Sequence, residues 1–432
     1  MSSPSSIERM EQLSALISEK TIVLTDFLAS KEPDAPSLSV DELADLSVFP
    51  DGNEPFEARA ELIKATRELH DIVLGPRESL RALAWGSTDQ LSLQAVWEFK
   101  IAEAVPTNGS ITFDDLSAKI KECAGKTILP FQLRILLRHA MTNQVFCEPQ
   151  KGTVAHTQIS RLLATNPKSN AWVGFLTGDL FPAFANVVNV MKRWPGSQEP
   201  SETGVNIAYS QDLPFYDFLQ LDKGRAMRYS RAIESHGSSE GTEISHGVVD
   251  GYPWANLGDA TVVDGNLGYV SVAIAEAFPR LKFVVQDTKG MRSAETLGSV
   301  PQSLRNRVEL TIHDFFDVQP VVAEAYLFRH VFHSFTDKYS IKILQSLVPA
   351  LRKGARILIN DGMLPEPGTL SYVNERRIRT LDIVMLTVTN SGERVLDGWK
   401  DLFRNADPRY KFLRAWKPAR SQLWFIEAEW DP

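Results

Sequence analysis

The chain has 432 residues, 43% hydrophobic and 23% charged, with a net charge of -8 from 46 basic and 54 acidic residues. That composition suits a chain that builds a large core in more than one domain, and its scattered basic residues argue against a nucleic-acid partner. Cys123 and Cys147 are too few for a disulfide framework or a cysteine metal site.

"MSSPSSIERMEQL" has no apolar signal core, and no later run reaches about 18 uninterrupted apolar residues, so a soluble cytoplasmic protein with no membrane span is expected. Ile7, Met10, Leu13 and Ile17 recur at helical spacing, which predicts an amphipathic helix over 7–30. Residues 31–57, with several prolines and acids, read as a loop. Helical periodicity resumes from Leu62 to Leu74 and should end at "LGP", 74–76; one long helix is then expected from Ser79 to Val105.

"GSITFDDLSAKI" places Thr112 or its neighbour as the cap of a short helix beginning "DDL". "LPFQLRILLRHAMTNQVFCEPQKGTVAHT" reads as a helix, a strand, a turn at Gly152 and a second strand. Helix, helix and hairpin in that order make a winged helix-turn-helix. Its second helix is mostly apolar, with only Arg134 and Arg138, so protein contact is expected there rather than DNA.

"PGSQEPSETG" (195–204) and "HGSSEGTEISHG" (236–247) read as connections. His236 and His246 lie in the second, without the acid spacing of a metal site, and no metal is expected. Strands then alternate with helices: 261–264, 282–287, 308–316, 325–333, 355–363, 410–416 and 421–430, the last two as a hairpin. Their apolar runs suit a doubly wound α/β sheet covered on both faces.

Ligands of such sheets bind beyond the carboxyl ends of the strands. The first strand ends at Asp264, with Gly265 and Gly268 in the turn; the second ends at Asp287, placed to bond a ribose hydroxyl. The third ends in "HDFF" with His313, Asp314 and Phe315, and the fourth at His333.

This ordering, with "GYPWANLGDATVVD", "AEAFPRLKFVVQD", "SLRNRVELTIHDFF" and "RHVFHSFTDKYSIKIL", resembles the fungal class I S-adenosylmethionine-dependent O-methyltransferases of caffeate type from about residue 75 onward. The resemblance implies a Rossmann-like catalytic domain over 191–432. It also implies an α-helical, winged-helix dimerisation domain over 1–190, working as a homodimer on a small polyketide or alkaloid substrate. On the matching positions it assigns Asp264, Gly265, Gly268, Asp287, Asp314 and Phe315 to the cofactor. His333 becomes the catalytic base, Glu393 of "NSGERV" the group orienting it, and Asp382 and Met385 substrate-lining positions.

Two departures shape the functional expectation. The family loop runs roughly D-x-G-G-G-x-G-H, whereas Asp264-Gly265-Asn266-Leu267-Gly268-Tyr269 lacks two residues and most of the glycines, which argues against efficient methyl transfer. Ser334 and Phe335 replace the acid and tryptophan after the histidine. Some fungal members of the family are pericyclases, and this reading is favoured: His333 promotes dehydration, Lys338 polarises a substrate carbonyl, and an apolar pocket folds the intermediate. O-methylation of a phenol or enol is the alternative, and a catalytically silent partner a third. Lys338 heads a helix, so an exposed lysine is its plain alternative. His156, beside the wing, is a substrate-binding candidate whose alternative is a core role.

Overall fold

The computed structural model describes residues 5–30, 40, 53–237, 245–265, 268–288, 300–419 and 421–432. The expected loop over 31–57 lies almost wholly outside them, as do Asn266 and Leu267 of the glycine turn and most of the 236–247 connection, the side chains of His236 and His246 included.

Two compact units interleave along the chain, where the sequence suggests one break at 190. The first comprises Met1–Ala185, Tyr216–His236 and Leu370–Glu375. Helix Ser6–Ala29 is closed by a capping box in which Ser5 and Glu8 satisfy each other's backbone amides. The next helix does not stop at "LGP": it runs Glu54–Glu98 with a kink at Gly75 (φ 77°, ψ 160°), because Pro76 cannot donate to the helix but suits a restarting first turn. Thr112 caps helix Phe113–Ala124 as expected, its hydroxyl accepting from the amide of Asp115. Helix Pro130–Thr142 follows, and strand β1 (Ile111–Thr112) pairs antiparallel with β2 (Thr153–Val154). Val96, Ile101, Phe113, Leu116, Leu133, Leu137, Phe146 and Val154 form the core beneath them.

The helical run Pro167–Arg193 has the length and mean hydropathy, 1.3, of a membrane-crossing helix, a test that core helices also pass. It nevertheless buries Asp179, whose carboxylate takes both Nε (2.6 Å) and Nη2 (2.7 Å) of Arg228. A buried, bidentate ion pair suits a protein core and is costly in lipid.

The second unit comprises Asn186–Phe215, Gly237–Thr369 and Arg376–Pro432. Its seven strands are β3 (Thr261–Gly265), β4 (Lys282–Asp287), β5 (Val308–Ile312), β6 (Ala325–Arg329), β7 (Arg356–Asp361), β8 (Tyr410–Trp416) and β9 (Trp424–Trp430). The order is β5-β4-β3-β6-β7-β9-β8, parallel except for β9, which runs antiparallel to both neighbours. Successive residues serve opposite faces. Val263, Tyr326, Ile357 and Ile359 pack with Trp399 and Phe403 on one side, and Val262, Phe283, Leu327 and Leu358 with Trp254 and Ile274 on the other. This is the class I methyltransferase fold.

Strand six is shorter than expected. It stops at Arg329, His330 takes a left-handed conformation (φ 54°), and Phe332–Ser334 form a 3-10 turn. His333 therefore rides on a tight turn beyond the strand rather than on the strand itself. β5 likewise stops at Ile312, before "HDFF".

Candidate active site

The break in strand order lies at β3, which has β4 on one side and β6 on the other, and ligands of such sheets bind beyond the carboxyl end at this point. Asp264 ends this strand buried, accepting from the Ser271 hydroxyl (2.6 Å) and the Gly265 amide (2.8 Å). Burial pushes its carboxyl up to about 6 against those two bonds. Both oxygens are thus engaged, and the bond to Ser271 ties the strand to helix Tyr269–Ala277, which Gly268 opens in a left-handed conformation (φ 78°). Asp287 ends the neighbouring β4, one oxygen accepting from the Thr288 amide. Asp314 is exposed and takes the Phe316 amide at 2.9 Å, while the Phe315 ring packs edge-on against Phe335. An acid at the end of the second strand and an aromatic beyond the third make a donor set that fits a nucleoside.

The chemistry gathers one strand further along. β6 and β7 run parallel with Arg329 opposite Asn360, so the turn after one meets the end of the other. Nδ1 of His333 lies 2.5 Å from Oδ1 of Asp361, and the His333 amide donates to Oδ2 at 3.1 Å. The Asp361 side chain is fully buried and that of His333 is 15% exposed. Burial alone would pull the imidazole pKa down, but the charge and hydrogen bond of Asp361, with the charge of Glu393, raise it to about 9. Burial likewise opposes ionisation of Asp361, yet the histidine holds that carboxyl down near 2. Arg329 joins this group to the cofactor side: it bonds the Asn360 side chain and interacts with both Asp361 and Asp264, while burial lowers its pKa to about 10.

Three sequence-based assignments change here. The group that orients His333 is Asp361, 28 residues away, and not Glu393, which makes no hydrogen bond to the imidazole. Glu393 lies alongside instead: its amide donates to Oδ1 of Asp382 at 2.8 Å, and its Oε2 is buried with no hydrogen-bond partner among the described residues. Burial raises its carboxyl to about 7. Asp382 therefore supports the Glu393 loop; Met385 lies one turn later on the same helix, Tyr372–Thr389, partly buried.

Lys338 is not a buried carbonyl donor. Its side chain is 44% exposed and pairs with Glu199, which raises the ammonium pKa rather than lowering it. Exposed pairs contribute little. Lys338→Ala should leave turnover and melting temperature essentially unchanged, measured by steady-state assay and thermal denaturation.

His156 lies in the core of the other unit, against its expected place beside the substrate. It is 5% exposed, Nε2 donates to the Val105 carbonyl (3.3 Å), Nδ1 lies 3.0 Å from the Ser160 hydroxyl, and burial lowers its pKa.

Asp361 is the partner of His333 missed in sequence. "ILIND" ends a strand on an acid, the same signal that singled out Asp264 and Asp287. Ligand atoms of His330, His333 and Asp361 lie within 4.8 Å of one another, the one such grouping among the described residues. The 2.5 Å bond between His333 Nδ1 and Asp361 Oδ1 engages two residues of that grouping with each other.

A class I methyltransferase fold with a histidine–carboxylate pair at the carboxyl edge of its sheet defines the general class of the protein. Residues 208–407 match the O-methyltransferase domain family. The chain is 36% identical over 430 residues to the grayanic acid biosynthesis cluster O-methyltransferase of Cladonia grayi, covering 99% of this chain and 89% of that one. It is 37% identical to the chlorophenol O-methyltransferase of Trichoderma longibrachiatum, covering 98% and 90%. The crystal structure of OxaC with sinefungin and meleagrin superposes with a TM-score of 0.72 at 20% identity, over 96% of this chain and 99% of that one. The chain belongs to this O-methyltransferase family.

Proposed function

We propose that the protein is an S-adenosylmethionine-dependent O-methyltransferase acting on a phenol or enol hydroxyl of a fungal secondary metabolite. The observation that carries this reading is the His333–Asp361 pair. Nδ1–H donates to the carboxylate, which leaves the Nε2 lone pair free to accept the proton of a substrate hydroxyl. Asp361 holds the ring in that tautomer and stabilises the imidazolium that forms. The cofactor, when bound, supplies an electrophilic methyl group. Asp287 would hold its ribose, with Phe315 and Asp314 beside the base and Gly265 and Gly268 admitting the chain closely. Glu393, buried and readily protonated, would bind a second polar group of the substrate. The helical unit, with its winged-helix order of elements, would dimerise, and the dimer would work in the cytoplasm.

The shortened glycine turn favours a second reading, a donor-independent pericyclase that uses the same base for dehydration. That reading has lost its carbonyl donor with the placement of Lys338.

Titrating the protein with S-adenosylmethionine by calorimetry, then assaying with and without donor, separates the two. Micromolar binding with methylated product supports the transferase. Absent binding, with donor-independent turnover of a polyene pyridone alcohol, overturns it. Asp287→Ala should weaken S-adenosylhomocysteine binding about ten-fold or more in the same calorimeter, the loss of about 1.5–3 kcal/mol for a hydrogen bond to a charged group.

A further inference from the structure

The turn carrying His333 is gripped from outside by the segment 390–394. The Ser391 hydroxyl donates to the His333 carbonyl. Arg394 does more: Nη1 donates to the Phe332 carbonyl (2.8 Å), and Nη2 to the Phe335 carbonyl (2.7 Å) and the Ser340 hydroxyl (3.0 Å). Nε reaches Asp337 at 2.8 Å, and the guanidinium lies over the Trp399 ring, 5.2 Å from its centroid. The residue is 9% exposed. Its side chain therefore bridges the carbonyls immediately before and shortly after His333. Its own carbonyl accepts the Leu364 amide at 2.9 Å, three residues beyond Asp361. One residue thus holds both chain segments that form the dyad.

We propose that Arg394 is a positioning residue that keeps the turn bearing His333 in register with Asp361. The planar fork is what the task requires, since a single ammonium cannot reach two carbonyls and a hydroxyl at once. Nothing assigned to Arg394 involves substrate or cofactor, and the inference rests on the reading of His333 as the base.

The decisive variant is Arg394→Lys, which keeps the charge and removes the bridge. It is expected to lower kcat by about 10- to 100-fold with KM little changed, as a small misplacement of a reacting group does. In 15N-histidine NMR of the substrate-free protein, the His333 titration should fall from near 9 toward the ordinary histidine value, and its low-field Nδ1 proton should weaken. The charge of Arg394 itself lowers the His333 pKa. A purely electrostatic role would therefore leave Arg394→Lys unchanged and raise the titration in Arg394→Met; that pair of results overturns the proposal. All spectra are taken below each variant's melting temperature. Restoration of kcat and of the low-field proton in Arg394→Ala by added guanidinium, with no response to methylammonium, supports the bridge; no rescue by either overturns it. The NMR readout needs neither donor nor substrate, so it stands apart from any failure of the transferase reading.

Discussion

Asp361→Asn is expected to lower kcat by about 10²- to 10⁴-fold, the range a positioned proton-transfer group supplies. The substitution keeps the volume of the side chain and removes the charge that fixes the imidazole. In the wild-type protein the base form of His333 accumulates only as pH rises through about 9, so kcat/KM for an un-ionised hydroxyl should climb across that range. Without the carboxylate the inflection should move down toward roughly 6.5, the ordinary histidine value, with a much lower plateau. Rate–pH profiles of the two proteins measure both effects. An unmoved inflection with an unchanged plateau would remove Asp361 from the mechanism.

The same pair makes a stability prediction. His333 titrates higher folded than unfolded, so its contribution is complete below roughly pH 6.5 and disappears as pH rises through about 9. Asp361 titrates lower folded than unfolded, so its contribution is complete above roughly pH 4 and disappears as pH falls through about 2. The wild-type advantage in melting temperature over Asp361→Asn should therefore be widest between roughly pH 4 and 6.5 and narrow on either side.

Gly362→Ala is expected to be nearly as damaging, through packing alone. A Cβ at 362 would stand 2.3 Å from Oε2 and 2.6 Å from Cδ of Glu393. Oε2 is enclosed, so either the Glu393 side chain or the backbone just past β7, one residue from Asp361, must move. Overpacking of this kind costs about 1–3 kcal/mol. A fall in melting temperature and a loss of activity of at least about ten-fold should accompany it, because displaced catalytic groups lose rate steeply. Adding Glu393→Ala to Gly362→Ala should recover the melting temperature while activity stays low. Additive losses in that double variant would show that the glycine and the glutamate do not share this space.

Much of the second unit was legible from sequence. Apolar runs bounded by turns located all seven strands, because burial on both faces leaves a continuous hydrophobic signal. The ends of those strands pointed to the edge of the sheet where His333 and Asp361 meet. The errors fall where a residue's neighbours come from distant sequence. Lys338 follows the helix start Thr336–Asp337, and nothing local says which way it points; Glu199, 139 residues earlier, draws it outward. His156 has the same chemistry as His333 in a list of residues, yet a carbonyl 51 residues away and a nearby serine engage both its nitrogens in a dry core.

The sequence by itself determined the architecture and the family, since these rest on hydrophobic periodicity and on motifs contiguous in the chain. Tertiary structure alone decided which acid lies against His333. Glu393 and Asp361 are both acids beyond a glycine or strand end, and only the parallel register of β6 on β7 brings one of them within 2.5 Å of the imidazole. Register is a property of two strands pairing across the sheet. It cannot be read from either strand alone.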